Sequence, residues 1–510
     1  GGITTLWSKN KLKKGIDIQN LETKISNLYS LYNKESPEEA LKAAKALKNK
    51  HPNNYHIYFI LGVIFNDLKR FDEAIFNLLR SIEIKPDFAL AYYNLGKSYQ
   101  FLINNDQAIL NFKKAIDIEP EFSEAHNNLG VCLMNLGEFK KACSSYEYSI
   151  KINPNQFEGF YNLARSLQQL NQDEEAIKNY KQSIINKPDF APAYNNLGNI
   201  FDKIENYEDA IKYYEQATKL NPDYHVAQYN LANTYKTIGR YDKAIEKYEL
   251  SKTIASKAQI LGCLYILKKY EDFRKRLDEY CESDKRNIRI AAVSAFVSNQ
   301  LKKNDPYPFC KNPLNFFILS NLKNHRPDSD EFIIQILNEV KNLKTVWEPK
   351  NKSTKFGSQT DEKIFKSGKK CSELKDIIEK EIKFYKEKFI DEKCIFINSW
   401  PRKFEIKGWF VNLKKYGHQT SHIHPKGWLS GVIYLKTIKT AKDSIDGAIE
   451  LGLHGYDLPV INENYPRKIF KPNNGDIILF PSSLFHKTIP FTVEDERCVI
   501  AFDLVPSFSE

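Results

Sequence analysis

The spacing of apolar and polar positions changes along the chain and divides the sequence into two parts. Between residues 55 and 258 apolar residues follow a helical spacing that a proline interrupts every 34 residues. From residue 404 onward, short runs rich in β-branched and aromatic residues are separated by Gly, Pro, Asn and Asp. The first pattern predicts α-helices and the second predicts β-strands.

The repeat of 34 residues is the clearest feature of the first part. Prolines recur at Pro52, Pro86, Pro120, Pro154, Pro188 and Pro222. Small residues, each preceded by leucine, recur at Gly62, Gly96, Gly130, Ala164, Gly198 and Ala232. A second small position recurs at Ala74, Ala108, Ala142, Ala176, Ala210 and Ala244. The shared period predicts helical hairpins in which small residues lie where two helices cross closely, and in which proline ends the second helix.

These features resemble the tetratricopeptide repeat (TPR) family. They predict six repeats over residues 55–258 and a degenerate first unit over 21–54. An all-α solenoid is therefore expected at 21–258, after an N-terminal extension at 1–20. Residues 259–345 are expected to form a helical extension and linker, with irregular helices that close the solenoid.

A ladder of asparagines lies two residues before the small positions. Its members are Asn94, Asn128, Asn162, Asn196 and Asn230. Stacked repeats form a concave surface, and in the similar repeats of protein O-GlcNAc transferase asparagines at this position hold a peptide backbone. A side-chain amide both donates and accepts hydrogen bonds, as an extended peptide does. The resemblance implies a protein or peptide partner in the groove; the alternative is that the asparagines only satisfy helix ends or turns.

The second part of the chain predicts an all-β sandwich or barrel. The strand-like segments are "GWFVNL", "LSGVIYLK", "GAIEL", "DIILFP" and "RCVIAFDLV". The segment "SELKDIIEKEIKFYKEKF" has apolar residues at helical spacing and is expected to pack against this domain, which we place at residues 346–510.

Three histidines and an arginine are the candidate chemistry of the β-rich domain. His422 and His424 are two residues apart, so on an extended segment both can face one point. His486 follows "DIILFPSSLF", and Arg497 lies eleven residues further on. Three imidazoles can converge on one metal ion, and an arginine suits a carboxylate ligand because its two prongs match the two oxygens. His418 lacks such a placement.

The order of these motifs resembles the iron(II)- and 2-oxoglutarate-dependent dioxygenases, whose fold is a double-stranded β-helix, or jelly roll. The "HIHP" and "SGVIYL" segments resemble more narrowly a family of 2-oxoglutarate–iron oxygenases with an HxHP…SGVYYL pattern. The resemblance implies that His422, His424 and His486 bind Fe(II) and that Arg497 binds the co-substrate 2-oxoglutarate. It also implies that Asn412 and Tyr434 contact this co-substrate. The expected protein is multidomain: a TPR solenoid followed by a jelly-roll oxygenase domain with flanking helices.

One position departs from the wider superfamily, which has Asp or Glu where this chain has His424. A neutral imidazole in place of a carboxylate raises the charge of the site by one and weakens the electrostatic attraction for a divalent cation. The narrower family shares this variant. Asp446 or Glu450 is the alternative carboxylate ligand.

Together the two resemblances predict a hydroxylase that acts on a protein or peptide side chain, with prolyl, aspartyl or asparaginyl residues as natural targets. Two other interpretations stay open. The chain can be a TPR scaffold with an inactive oxygenase-like domain, or an oxygenase of small molecules or glycans that uses its repeats for localisation.

Composition excludes several classes of function. The net charge of +11 comes from lysines spread among Glu and Asp, which indicates a solvated surface and no nucleic-acid partner. Since the chain has no secretory signal and no apolar run of about 18 residues, we expect no membrane association and a cytoplasmic location. Eight cysteines without a CxxC pair indicate reduced thiols.

Overall fold

The chain is seen in a computed structural model that describes residues 16–33, 37–349, 352–441 and 443–507. It divides into two compact units, Gly1–Ala227 and Gln228–Glu510. Most of the predicted N-terminal extension lies outside the described residues, and helix α1 spans Ile16–Asn33. Among the described residues, no helix is long and apolar enough to cross a membrane.

Helical hairpins make up the first unit. After α1 come α2 (Pro37–Lys50), α3 (Tyr55–Asp67), α4 (Phe71–Ile84), α5 (Ala89–Phe101), α6 (Asn105–Ile118), α7 (Ser123–Asn135), α8 (Phe139–Ile152), α9 (Phe157–Gln169), α10 (Asp173–Asn186), α11 (Ala191–Lys203) and α12 (Tyr207–Leu220). The second small position is fully buried at Ala74, Ala108, Ala142, Ala176 and Ala210. The predicted helical solenoid is therefore confirmed.

The first small position lies against an aromatic ring of the same hairpin. A methyl group added to Gly96 would lie 2.7 Å from the ring of Phe112, and one added to Gly130 would lie 2.6 Å from the ring of Tyr146. Contacts this short do not occur without movement, so the two helices approach closely only because the residue is small. The 34-residue spacing of small residues therefore reflects the close packing of the two helices in each hairpin.

The turn inside each hairpin from α3 to α12 contains one residue with a positive φ. In the first unit these residues are Lys69, Ile103, Gly137, Asn171 and Glu205. This left-handed conformation costs a residue other than glycine about 1–2 kcal/mol. Ile103, with φ of 60°, is β-branched, and its side chain is 82% exposed. Packing therefore does little to offset the strain at this turn.

Ile103→Gly is expected to stabilise the hairpin α5–α6 by about 1 kcal/mol, because glycine adopts this conformation without strain and part of the gain is lost to chain entropy. Hydrogen exchange of the amides in α5 and α6 measures the change locally. Gly137→Ala, at the equivalent turn of the next hairpin, is the matched control and should destabilise α7–α8. An unchanged or faster exchange in Ile103→Gly would contradict the prediction.

The remaining helices lie in the second unit, except that the first of them begins three residues before the boundary. They are α13 (His225–Thr237), α14 (Tyr241–Ser251), α15 (Ile254–Ile266), α16 (Tyr270–Ser283), α17 (Ile288–Gln300), α18 (Ser329–Val340), α19 (Lys369–Lys388) and α20 (Ile395–Asn398). Beyond residue 258 the helices keep the lengths of the repeats, where we expected irregular ones. The Leu261–Gly262 pair repeats the leucine and small residue of the earlier units, so the hairpin persists although the proline is lost.

Two antiparallel sheets follow. Their strands are β1 (Ile318–Asn321), β2 (Val346–Trp347), β3 (Thr354–Gln359), β4 (Phe404–Gln419), β5 (Leu429–Lys436), β6 (Ile449–Gly452), β7 (Arg467–Phe470), β8 (Asp476–Pro481), β9 (Phe485–Thr488) and β10 (Arg497–Pro506). The larger sheet has the order β1-β8-β5-β10-β4-β3-β2 and the smaller one β7-β6-β9. The five predicted strands correspond to β4, β5, β6, β8 and β10, and the jelly-roll fold is confirmed.

The larger sheet includes a strand from the segment that we predicted to be a linker. β1 pairs with β8 from Ile318 opposite Leu479 to Asn321 opposite Asp476. Helices α15 and α17 contact the loop after β6: the Tyr265 hydroxyl donates to the carbonyl of Pro459 at 2.9 Å, and the Gln300 amide donates to that of Asn462 at 3.0 Å. Elements before residue 346 are thus part of the fold of the β-rich domain.

Candidate metal and co-substrate site

His422 and His486 face each other across an isolated antiparallel bridge. The His422 amide donates to the carbonyl of His486 at 3.1 Å, and the His486 amide donates back at 3.0 Å. The amide of His424 donates to the carbonyl of Ser482 at 3.1 Å. Backbone hydrogen bonds therefore fix all three histidines before any ligand binds.

The three imidazoles converge. One ring nitrogen of each lies within 4.8 Å of the others, and the ring centroids of His422 and His486 are 4.2 Å apart. Tetrahedral and facial metal sites place histidine nitrogens about 2 Å from the ion, so this spacing suits ligation of a single cation. The arrangement is the one predicted from the sequence.

Hydrogen bonds to Nδ1 determine which nitrogen of each ring can bind a metal. Nδ1 of His422 lies 2.7 Å from the carbonyl of Thr420, and Nδ1 of His486 lies 3.2 Å from that of Leu484. Nδ1 of His424 lies 2.6 Å from Oδ1 of Asp503. Because Nδ1 donates in each case, Nε2 carries the lone pair and is the candidate ligand atom. Nε2 of His422 also lies 3.3 Å from the hydroxyl oxygen of Ser353.

Burial keeps the rings of His422 and His486 neutral. Loss of hydration, aided by the neighbouring His424, lowers the pKa of His422 to about 3. Loss of hydration, together with His422 and His424, holds the pKa of His486 well below its usual value. Neutral imidazole is the form that binds metal, so the two rings need to release no proton at neutral pH.

Arg497 is a buried cation with unpaired donors. It is 2% exposed, and its Nε and Nη1 have no hydrogen-bond partner. Its guanidinium lies 4.9 Å from the ring centre of Tyr434, whose hydroxyl is also buried without a partner. Unpaired buried donors are costly, and a bound carboxylate would satisfy them. These residues therefore fit the distal carboxylate of 2-oxoglutarate.

The side chain of Asn412 does not point toward Arg497. It lies opposite Cys498, whereas its neighbour Leu413 lies opposite Arg497, and adjacent residues of a strand face opposite sides of a sheet. Its amide donates to Glu496 at 3.2 Å.

The alternative carboxylates do not join the histidines either. Glu450 forms an ion pair with Lys487 at 3.2 Å, while the next residue, Leu451, lies opposite His486. Asp446 is not part of the histidine cluster. The carboxylate that contacts the cluster is Asp503, which sequence analysis missed. The signal was a single acidic residue in the apolar strand "RCVIAFDLV".

Known families match both parts of the chain. Residues 407–503 match a family model described as "Putative 2OG-Fe(II) oxygenase". TPR family models match residues 62–101, 89–122, 123–156, 145–178, 191–224 and 213–246. The chain joins TPRs to a domain that matches the putative 2OG-Fe(II) oxygenase model.

Solved structures resemble part of the chain, while no curated protein matches it. MamA is 23% identical over 36% of this chain and 99% of its own, with a TM-score of 0.30. YrrB, described as a TPR protein with an unusual peptide-binding site, is 21% identical over 37% of this chain and 96% of its own, with a TM-score of 0.33. The Cut9–Hcn1 assembly gives 19% identity, coverage of 49% and 50%, and a TM-score of 0.41.

A cavity of about 340 Å³ opens onto His422 and His424. Its charged lining residues are Arg289, Lys352, Lys426, Glu362 and Asp503. Arg289 belongs to α17 and was not expected from the sequence to lie near the site. Lys352 forms an ion pair with Glu362 at 3.4 Å. The mouth of the candidate site is therefore polar, with three cations and two acidic groups.

The side-chain amides of the asparagine ladder form hydrogen bonds mainly to neighbouring repeats or within their own repeat. The amide of Asn128 donates to the hydroxyl of Tyr93 at 3.2 Å, and that of Asn196 to the hydroxyl of Tyr161 at 3.3 Å. The amide of Asn162 donates to Asn127 at 3.2 Å. Asn94 is 8% exposed and donates to a carbonyl of its own helix. Asn230 lies on α13 in the second unit.

His486→Ala is expected to weaken divalent metal binding by more than the roughly 10–100-fold that loss of an outer contact costs, because it removes a ligand atom. Anaerobic loading with Fe(II), followed by dialysis and metal analysis of the full chain, measures the change. His418→Ala is the control, since His418 contacts only the carbonyl of Tyr416 through its ring. Equal metal content in the wild type and His486→Ala would contradict the prediction.

Proposed function

We propose that this protein is an Fe(II)- and 2-oxoglutarate-dependent dioxygenase that hydroxylates a side chain of a protein or peptide bound by its TPRs. The carrying observation is that three histidine nitrogens lie within 4.8 Å of one another in a domain whose buried Arg497 has unpaired donors. One domain thus contains both a group of histidine nitrogens that can bind a metal ion and a buried arginine that can bind a carboxylate. A cytoplasmic location is part of this proposal.

In this proposal His422, His424 and His486 hold the iron through Nε2. When bound, the iron, 2-oxoglutarate and dioxygen would supply the oxidising chemistry: one oxygen atom of dioxygen would enter the substrate as a hydroxyl group and the other would enter succinate, with loss of carbon dioxide. Backbone and Nδ1 contacts already limit the orientations of the three rings. This preorganisation lowers the entropic cost of assembling the site.

Arg497 and Tyr434 bind the distal carboxylate of 2-oxoglutarate. Burial raises the pKa of Tyr434 although Arg497 opposes the shift, so the hydroxyl stays protonated and can donate. The pair is closed to solvent, since Arg497 is 2% exposed and Tyr434 is fully buried. A charge-assisted hydrogen bond in a dry site is stronger than one in water, which fixes the co-substrate in one orientation.

The substrate enters through the charged mouth. Among the described residues, Arg289 and Lys426 line it without the acidic partner that Lys352 has in Glu362, and these two cations support an aspartyl or asparaginyl target flanked by acidic residues over a prolyl target in an apolar segment. Opposite charge at a mouth raises the rate of encounter with the ligand. Binding of the remaining polypeptide by the TPRs adds to the affinity without new contacts at the iron.

Arg497→Met is expected to weaken 2-oxoglutarate binding by about 2–5 kcal/mol, since it removes one partner of a buried charged pair, which corresponds to at least a thirty-fold rise in Kd. Anaerobic titration calorimetry of the iron-loaded chain gives the value, and succinate release in air gives the activity. Arg467→Met changes an exposed arginine and should leave both unchanged. Wild-type affinity in Arg497→Met would rule out this co-substrate role.

Asn128→Ala combined with Asn196→Ala is expected to raise the KM for an acidic peptide by about ten-fold, as two backbone hydrogen bonds of about 0.5–1.5 kcal/mol are lost. The Kd for 2-oxoglutarate should not change. Because these amides also contact Tyr93 and Tyr161, hydrogen exchange of the repeats must remain as in the wild type. An unchanged KM with intact repeats would separate the ladder from peptide binding.

A further inference from the structure

We infer that Asp503 is the positioning residue of the metal site: its carboxylate orients His424 and supplies the negative charge that the histidine motif lacks. The inference rests on the proposed function, since it assumes that the three histidines bind a divalent cation. It assigns a role to a residue that is neither one of the three histidines nor Arg497.

The contact between the two side chains is close and buried. Oδ1 of Asp503 lies 2.6 Å from Nδ1 of His424, and the side chains are 13% and 11% exposed. An imidazole and a carboxylate at this distance share a charge-assisted hydrogen bond. Low exposure leaves water little opportunity to compete for either group.

A second group of hydrogen bonds holds Asp503 in place. The hydroxyl of Ser430 donates to the same oxygen at 2.7 Å and lies 2.8 Å from the hydroxyl of Ser482. Ser430 pairs with Asp503 across β5 and β10. The carboxylate is therefore fixed by its own sheet and does not depend on His424 for its orientation.

The loop after His424 is shaped around this group. A methyl group added to Gly427 would lie 2.7 Å from Oγ of Ser482 and 3.2 Å from Cγ of Asp503. The amide of His424 donates to the carbonyl of Ser482. The backbone of His424 is thus bonded to Ser482, just after β8, and its ring is bonded to Asp503 on β10. Only a glycine at position 427 lets the loop pass so close to these residues.

The carboxylate of Asp503 changes the net charge around the candidate metal site. Two histidines and one carboxylate give a ligand set of charge −1, whereas three neutral histidines give zero. With Asp503 bound to the far side of one ring, the same negative charge returns, separated from the metal by an imidazole. A carboxylate in this position raises the basicity of the ligand nitrogen and fixes its tautomer.

The test compares Asp503→Asn with Asp503→Ala in the full chain, using Co(II) as the probe. Asn keeps an oxygen that accepts from Nδ1 but removes the charge, and Ala removes both. We expect the Kd for Co(II), measured by competition with a chelator, to rise by about 10-fold in Asp503→Asn and by about 100-fold in Asp503→Ala. The visible absorption of bound Co(II) should shift in both variants, which a change in folding stability alone does not produce.

Glu463→Gln is the control, because it removes the same charge from an exposed residue of the same domain; its Kd and spectrum should match the wild type. If Asp503→Ala does not fold, Asp503→Asn decides. Wild-type affinity and spectrum in Asp503→Asn overturn the inference while the metal site stands. A wild-type chain that binds Co(II) no better than His486→Ala overturns the metal site itself, and the inference with it.

Discussion

The antiparallel bridge between His422 and His486 is the interaction on which the candidate site depends. Its two backbone hydrogen bonds join the segment before β5 to strand β9, which are more than sixty residues apart in the chain. The bridge brings the rings of His422 and His486 together. The strands that flank the two bridging segments already pair within the two sheets, which holds the bridge in place. The convergence of the imidazoles is thus a consequence of sheet register.

Strand β10 carries the two buried charged residues of the candidate site. It pairs with β4 on one side and β5 on the other, so it lies inside the larger sheet. Arg497 and Asp503 are six residues apart on this strand, an even spacing that points both side chains to the same face. Asp503 contacts His424, whereas two donors of Arg497 have no partner among the described residues. A strand whose sequence is almost entirely apolar therefore places two charges in the interior.

Much of this arrangement was visible in the sequence. The period of 34 residues predicted the hairpins because close helix packing demands small residues at fixed intervals. The HxH spacing and the order of His486 and Arg497 predicted the cluster because strand parity is a local property. What the sequence did not show depends on register between distant strands. We expected Asn412 to contact the co-substrate and Glu450 to be an alternative ligand. In each case the next residue along the strand lies opposite Arg497 or His486, so the expected side chain points to the other face of the sheet. Asp503 was missed for the same reason, and β1 was missed because four residues are too short for a recognisable alternation.

The extent of the functional domain follows from these long-range contacts. The family match begins at residue 407, but β1 completes an edge of the larger sheet, and α17 supplies Arg289 to the mouth. The same helix is tied to the loop after β6 through Gln300, whose oxygen accepts from the amides of Ile461 and Asn462 at 2.7 and 2.8 Å. Because α17 places a charge at the mouth of the cavity, the mouth and the histidine cluster belong to one compact unit. Under the proposed function, substrate preference should therefore vary with the sequence of α17 even where the histidines and Arg497 are unchanged.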